Sequence, residues 1–287
     1  MRKSLIAIPF VLIALCLQAH FVNGQEKKKK VVLPSTGWGS LKGKVTLDGD
    51  IPPMADLTGK MMIHVDKACC LDKKAKPEEK VDLTWVVDPK TKGIANVAVW
   101  IKAPEGTFFP IHEKLKVRKD EIVIDQPHCQ YLPRVSAYQP FYFDGAKKVQ
   151  TGQSLIIRNS AIVNHNVRVI GKPSLNPGFN VNMLPKTELK KTFLPQATPI
   201  NLNCDIHTWM SAKLFVFDHP YYAITKADGT FEIPYVPAGA EVTIVGWHEG
   251  TGYTKVIREG EKVIIGDPIT LKEGVNNFDI TIKAPAK

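Results

Sequence analysis

The sequence predicts an all-β protein built from β-sandwiches. From Gly39 onward, short runs rich in β-branched and aromatic residues alternate with turn residues, and no segment keeps a helical period. Residues 40–47 alternate between polar and apolar side chains and end at an Asp-Gly turn, and residues 94–101 form a second strong strand. The lysine-rich stretch between them, residues 61–80, has no clear period and is predicted to be an irregular insertion.

The first residues have the pattern of a secretory signal peptide. A basic head precedes an apolar stretch that is too short to span a bilayer, and small residues precede the expected cleavage point. We therefore expect a signal peptide over residues 1–24 and a basic linker over residues 25–38. The mature protein is expected to be exported, to the periplasm or the extracellular space, with no integral membrane segment after the signal is removed.

The formal net charge of +10 does not indicate a nucleic-acid-binding protein. The lysines of residues 27–30 and the basic head of the signal account for more than half of this charge. A lysine run of this kind is typical of a solvated linker, and no pattern of aromatic and basic residues accompanies it. We therefore expect no nucleic-acid partner.

Export would carry the cysteines into an oxidising compartment. The cysteines that remain after the signal are Cys69, Cys70, Cys129 and Cys204. If one of them binds a metal, the other three leave one thiol unpaired. A disulfide from Cys69 or Cys70 to Cys129 is expected, because neighbouring cysteines would close a strained ring, and the sequence does not decide between the two. A second metal site at these cysteines with His64 and His128 is the less favoured alternative.

The strongest chemical signal is a C-x2-H-x2-M loop at residues 204–210, which leads directly into a strand. A thiolate, an imidazole and a thioether on one short loop suit copper, and a blue-copper centre needs a second imidazole. A histidine that follows the strand over residues 152–159, where this strand and the next one turn, can supply it. The expected ligands of one type 1 copper ion are His165, Cys204, His207 and Met210, with the methionine in the weak axial position.

These motifs resemble the cupredoxin family, and most closely its amicyanin-type members, whose ligand loop has the same short spacing. The upstream histidine segment also follows the family's order, with Asn159, His165, Asn166 and Val167. The resemblance implies a Greek-key β-sandwich, which we assign to residues 105–219, and it implies that Asn166 links the two ligand segments. Thr208 replaces the family's proline, which changes the stiffness of the loop but removes no ligand.

A second resemblance concerns the flanking segments. Residues 227–239 resemble the carboxypeptidase regulatory-like (transthyretin-like) sandwich, whose hallmark is a DG-x-F turn followed by a P-x-G turn. The opening strands of that family resemble residues 43–45 and 95–99, far upstream. We therefore predict a regulatory-like sandwich split into residues 39–104 and 220–287, with the cupredoxin domain inserted between them. Two separate small β units are the alternative.

Together these features predict an exported mononuclear blue-copper protein that carries single electrons to an unidentified redox partner protein. The loop of His207 is expected to reach the surface, where Trp209 is a candidate docking patch. An enzyme is not expected, because the chain has no H-x-H motif for further copper ions and lacks the common hydrolase and phosphate-binding motifs. Copper storage or delivery, and an extracellular binding or adhesion protein, are the alternatives.

Overall fold

The computed structural model describes residues 30–259 and 262–285, and this part of the chain is almost entirely β, as the sequence predicts. The proposed signal peptide and the start of the linker lie outside the described residues. Within the described ranges, no helix is long and apolar enough to cross a membrane.

The strands in chain order are β1 (Val31–Val32), β2 (Gly37–Asp48), β3 (Ala98–Lys102), β4 (Thr107–Phe108), β5 (Glu121–Asp125), β6 (Val135–Tyr138), β7 (Phe141–Phe143), β8 (Lys148–Gln150), β9 (Ser154–Asn159), β10 (His165–Ile170), β11 (Phe179–Met183), β12 (Thr187–Lys190), β13 (Ile200–Asn203), β14 (Ser211–Val216), β15 (Tyr222–Ile224), β16 (Thr230–Ala238), β17 (Glu241–His248), β18 (Gly252–Tyr253), β19 (Val256–Glu259), β20 (Lys262–Ile265), β21 (Asp267–Thr270), β22 (Gly274–Asn277) and β23 (Ile280–Lys283). The helices are α1 (Thr58–Met62), α2 (Lys67–Cys70), a 3-10 helix (Pro77–Lys80) and α3 (Glu113–Lys116).

The central sandwich packs a sheet of order β11-β10-β13-β14-β6 against a sheet of order β12-β9-β5. β6 pairs in parallel with β14 and β5 pairs in parallel with β9, whereas the other neighbours are antiparallel. Apolar side chains from both sheets form one buried core, which includes Ile124, Ile157, Val167, Leu202 and Leu214. Their burial is the main source of stability of this sandwich.

A second, outer sandwich is assembled from two distant parts of the chain. β2 pairs with β16, β22 and β23, and β3 lies between β15 and β17. Strands from before residue 102 and after residue 222 therefore share both sheets. The Asp228-Gly229 turn is packed tightly, because a side chain at Gly93 would come within 1.9 Å of the Asp228 carbonyl oxygen. The chain leaves the outer sandwich after β3, forms the central sandwich, and returns to the outer sandwich at β15.

The stretch that the sequence predicts as an irregular insertion is ordered and contributes no strand to either sandwich. We call residues 57–80, which contain α1, α2 and the 3-10 helix, the cap. Leu57, Met61, Cys69 and Cys70 of the cap are buried in the core of the central sandwich, although the cap precedes that sandwich in the chain. Helices of four or five residues are too short to show a period in the sequence, which explains why the pattern did not reveal them.

Arg134 joins the two sandwiches directly beside the ligand loop. Its buried guanidinium donates to the carboxylate of Glu249, with 2.7 Å between Nε and Oε2, and to the carbonyl oxygen of Ser211 at 2.9 Å. Ser211 is the first residue of β14, and Glu249 follows β17. The outer sandwich therefore supports the strand that leaves the ligand loop.

His248 is expected to make the fold sensitive to acid. Its buried ring packs on Trp85, with 4.2 Å between the ring centroids, and Nδ1 accepts from the amide of Gly250. Burial lowers the pKa of His248 from 6.5 to about 4. In this window the unfolded chain binds a proton that the folded chain does not, so the free energy of unfolding decreases as the pH falls from 6.5 to 4. This one group contributes about 3 kcal/mol to the change.

Denaturant unfolding at pH 7 and at pH 4.5 checks this expectation. His248→Asn should unfold with a pH dependence that is smaller by about 2 to 3 kcal/mol than that of the wild type. His112→Asn is the control, because His112 is only half-buried, and it should keep the dependence of the wild type. Equal pH dependence in the His248 variant and the wild type would contradict the role of this ring.

Candidate metal site

The ends of neighbouring strands bring the candidate ligands together. β10 begins at His165, β13 ends one residue before Cys204, and β14 begins one residue after Met210. β13 pairs with both β10 and β14, so the loop between β13 and β14 lies beside the start of β10. Two segments that are separated by 39 residues in the sequence therefore meet at one end of the sheet.

Three donor atoms face one another inside the protein. The sulfur of Cys204 lies 3.9 Å from Nδ1 of His165 and 3.9 Å from Nδ1 of His207. The side chains are almost completely buried, with 2%, 0% and 0% exposure for Cys204, His165 and His207. These three residues form a group that could hold a metal ion. Met210 closes the same loop and is buried in the same core.

Short backbone contacts hold the ligand loop in a compact form. The amide of Cys204 donates to the carbonyl oxygen of Met210 at 3.3 Å, and the amide of Met210 donates to the carbonyl oxygen of His207 at 2.9 Å. The amide of His207 points at the sulfur of Cys204, at 3.4 Å. This contact fixes the position of the sulfur relative to His207 within the loop.

The environment keeps both imidazoles neutral. Nε2 of His165 donates to the carbonyl oxygen of His128 at 2.6 Å, which leaves the lone pair of Nδ1 directed at Cys204. Burial, together with the nearby ring of His207, lowers the pKa of His165 to about 3. Burial also lowers the pKa of His207 to about 4, against the opposing effect of Asp66. A neutral imidazole is the form that coordinates a metal.

Asn166 connects the two ligand-bearing segments. From β10, its Oδ1 accepts from the amide of Asp205 at 2.6 Å and from the amide of Ile206 at 3.2 Å, and it lies 3.3 Å from the sulfur of Cys204. Its Nδ2 donates to the carboxylate of Asp205 at 3.2 Å. The hydroxyl of the fully buried Tyr131 donates to the backbone carbonyl oxygen of Asn166 at 2.9 Å. These bonds fix the loop relative to the strand that begins at His165.

The cap covers the outer edge of the site, so the His207 loop reaches the surface through other residues, including Ile206 and Thr208, and not through the His207 ring. The ring of His207 is fully buried. The carboxylate of Asp66 lies 3.2 Å from its Nε2, and the ring of His64 lies 4.5 Å away between centroids. Trp209, the expected docking patch, is half-buried, and its Nε1 donates to the carbonyl oxygen of Cys129 at 2.9 Å. These contacts involve residues that lie far apart in the sequence, so the loop pattern alone did not show them.

A disulfide holds the cap against the site. Cys70 of the cap is bonded to Cys129, and Cys69 is a buried free thiol. The buried carboxylate of Glu79 pairs with Nδ1 of His128 at 2.8 Å, so the cap is joined twice to the segment of His128 and Cys129. The carbonyl oxygens of these two residues accept from His165 and Trp209. Cys70 and Cys129 are therefore not available as metal ligands in the oxidised protein.

Sequence reasoning missed Asp66 and Glu79 as parts of the site. Each lies far in the sequence from the group that it contacts, so no local spacing marks it. The expected disulfide to Cys129 was the one usable signal. The disulfide joins Cys70 of the cap to Cys129, which is next to His128, and it therefore holds the cap near the candidate ligands.

Comparison with known proteins gives a similarity to cupredoxin structures over part of the chain. No family model matches the chain, and no curated protein matches it. A purple cupredoxin from Nitrosopumilus maritimus is 15% identical, with 34% of this chain and 98% of that chain covered and a TM-score of 0.24. A reduced and an oxidised variant of amicyanin are 16% and 19% identical, each with 42% of this chain and 98% of that chain covered and a TM-score of 0.27. The assignment of the site therefore depends on the side chains described above.

Proposed function

We propose that this chain is an exported copper protein whose single type 1 site transfers one electron at a time. The observation that carries the proposal is the buried meeting of one cysteine sulfur with two imidazole nitrogens, each 3.9 Å from it. This arrangement is the donor set of a blue-copper site.

The chemistry of the donors fits copper better than hard cations. Hard cations such as calcium and magnesium prefer oxygen ligands, whereas the three facing donors are sulfur and nitrogen. Asp66 is the nearest carboxylate to His207, and it contacts Nε2, on the opposite side of the ring from Nδ1. His165, Cys204 and His207 would hold the copper ion, and Met210 would be a further, weaker ligand. When bound, copper would supply a one-electron couple.

The protein's own residues would keep the donors in place during the electron transfer. Asn166 ties the ligand loop to β10, and the carbonyl oxygen of His128 orients the ring of His165. Asp66 contacts the outer nitrogen of His207. Such contacts orient the ligands of a metal and limit their rearrangement. Burial of all three donors excludes water from the site.

This proposal favours a carrier over an enzyme. A catalytic metal site keeps one coordination position open to a substrate, as catalytic zinc sites do. Here the candidate ligands are buried, and the cap lies over the His207 side. We therefore propose that the partner is another redox protein and that no substrate binds at the metal.

We also propose export and a split outer domain. The Cys70–Cys129 disulfide is of the kind that persists in oxidising compartments, which supports export to the periplasm or the extracellular space. The shared sheets of β2, β3, β16 and β17 support a regulatory-like sandwich made of residues 39–104 and 220–287 around the copper domain at residues 105–219. In this arrangement the outer sandwich supports the strand that leaves the ligand loop.

Titration of the purified protein with Cu(II) tests the proposed function. We expect an intense absorption band near ~600 nm that reaches its maximum at about one equivalent of copper, together with the EPR signal of a copper–thiolate site. The band reports the bond between copper and the cysteine sulfur. A protein that stays colourless with excess Cu(II) would refute the proposal.

Copper storage or delivery is the second candidate, because one observation favours it. His165 and His207 have no exposed surface, and a closed site of this kind suits retention of an ion. The electron self-exchange rate of the copper-loaded protein, measured by NMR line broadening, separates the two functions. Fast exchange supports a carrier, and exchange too slow to broaden the lines supports storage.

A further inference from the structure

The tip of the cap exposes large apolar side chains to solvent. Met62, Ile63 and Val65 are 61%, 88% and 90% exposed. Ile206 of the ligand loop lies beside them, because its carbonyl oxygen is 3.2 Å from Nε2 of His64, and it is 38% exposed. We call Met62, Ile63, Val65 and Ile206 the apical patch. Apolar side chains that are exposed together mark interaction surfaces in soluble proteins.

The apical patch is held in place by a tethered turn. On one side, Met61 is fully buried, and on the other side Cys70 is bonded to Cys129. Within the turn, the amide of His64 donates to the carbonyl oxygen of Met61 at 3.2 Å, and the amide of Lys67 donates to the carbonyl oxygen of His64 at 3.1 Å. The apolar side chains are therefore presented by a fixed backbone, and they face away from the core.

His64 connects the apical patch with the candidate metal site. Its ring contacts His207 at 4.5 Å and Trp209 at 5.5 Å between centroids. The side chain of His64 is 21% exposed, whereas His207 is fully buried. A molecule that docks on the patch would therefore come within one imidazole ring of His207.

The cap that presents the patch has a positive net charge, because it carries six lysines and four acidic residues, and the exposed Asp205 next to Ile206 pairs with Arg168. The exposed lysines of the cap are Lys60, Lys67, Lys73, Lys74 and Lys76. Its acidic residues, Asp66, Asp72, Glu78 and Glu79, are half-buried or buried. Asp66 faces His207 and Glu79 pairs with His128, so these two carboxylates contact groups at the site. Lysines around an apolar centre attract a partner with the opposite charge.

We propose that the apical patch is the docking surface for a small electron-carrier protein with an apolar redox face surrounded by acidic side chains. The inference deepens the proposed function and rests on it. The reduced carrier would give up one electron, for which bound copper would supply the acceptor, and no covalent bond would form or break. The electron crosses between the proteins beside His64. The partner would therefore contact the cap, because the edge of His207 is buried.

A plant-type [2Fe–2S] ferredoxin is a suitable probe, because it is small and acidic and its low reduction potential makes electron transfer to Cu(II) favourable. Two quantities are measured at low ionic strength: the Kd of oxidised ferredoxin by calorimetry, and the stopped-flow rate at which reduced ferredoxin bleaches the copper band. The test variant is Ile63→Asp with Val65→Asp. The matched control is Ile170→Asp, an exposed position at the end of β10 away from His165.

We expect the double variant to keep the copper band and to bind ferredoxin about tenfold more weakly or worse, with an equal loss of rate. The Ile170 variant should match the wild type, and added salt should weaken binding to the wild type. Unchanged Kd and rate in the double variant would overturn the docking surface, and so would an equal loss in the Ile170 variant. If the wild type shows no copper band but the double variant still binds ferredoxin more weakly, the docking surface is supported and the proposed function is refuted.

Discussion

Replacement of Cys204 by serine is expected to abolish the copper–thiolate absorption completely. The sulfur of Cys204 is the donor that both imidazole nitrogens face, at 3.9 Å each, and it is 2% exposed. A serine hydroxyl is nearly the same size, but it remains protonated and is a hard ligand that does not replace a soft thiolate. The variant should fold, because Asn166 still holds the loop through the backbone amides of Asp205 and Ile206. Optical spectra after addition of Cu(II) give the measurement.

Cys69 provides a matched control for this substitution. Among the described residues, Cys69 and Cys204 are the free cysteines, and both are 2% exposed. Burial raises the pKa of the Cys69 thiol, so this cysteine is held in the protonated form. Cys69→Ser should therefore keep the full copper band. A band that survives in Cys204→Ser, or disappears in Cys69→Ser, would show that the metal site is wrongly assigned.

Removal of the disulfide is expected to have the largest effect on stability. The bond joins residues that are 59 positions apart, and a loop of this length corresponds to about 4 kcal/mol in the chain-entropy description. The double variant Cys70→Ala with Cys129→Ala should therefore lose about 4 kcal/mol of unfolding free energy in denaturant titrations. It should also release copper to a chelator at least about tenfold faster, because the segment whose carbonyl oxygens accept from His165 and Trp209 loses its covalent bond to the cap.

The two readouts separate a structural role from a role at the site. Cys69→Ala is the control, since it removes a buried cysteine of the same helix without breaking a bond. It should lose less stability than the double variant and release copper at the rate of the wild type. If the double variant is less stable but releases copper at the wild-type rate, the cap does not help to retain the metal.

The insertion of one sandwich into another explains how the cap reaches the site. The cap lies between β2 and β3 of the outer sandwich in the chain, but its buried side chains belong to the core of the central sandwich. Arg134 and Glu249 form a second connection between the sandwiches, next to the start of β14. The geometry of the candidate ligands thus depends on both parts of the chain, and destabilisation of the outer sandwich is expected to reach the candidate metal site.

The sequence alone determined the fold class and the candidate ligands, because these depend on local patterns. Alternation along strands is visible within a few residues, and Cys204, His207 and Met210 share one short loop. His165 could be found because a ligand loop of this type requires a second imidazole near the turn of a neighbouring strand. The structure then places the sulfur and both imidazoles in contact.

Only the tertiary structure decided which surface covers these ligands. Cys69 and Cys70 are adjacent, so their spacing does not show which of them pairs with Cys129. On a helix, neighbouring side chains point about 100° apart, so only one of the two can face Cys129, and this residue is Cys70. The burial of His207 under His64 and Asp66 joins positions more than 140 residues apart. Contacts of this range leave no periodic trace in the sequence, because they arise from how the cap packs on a core formed by later strands.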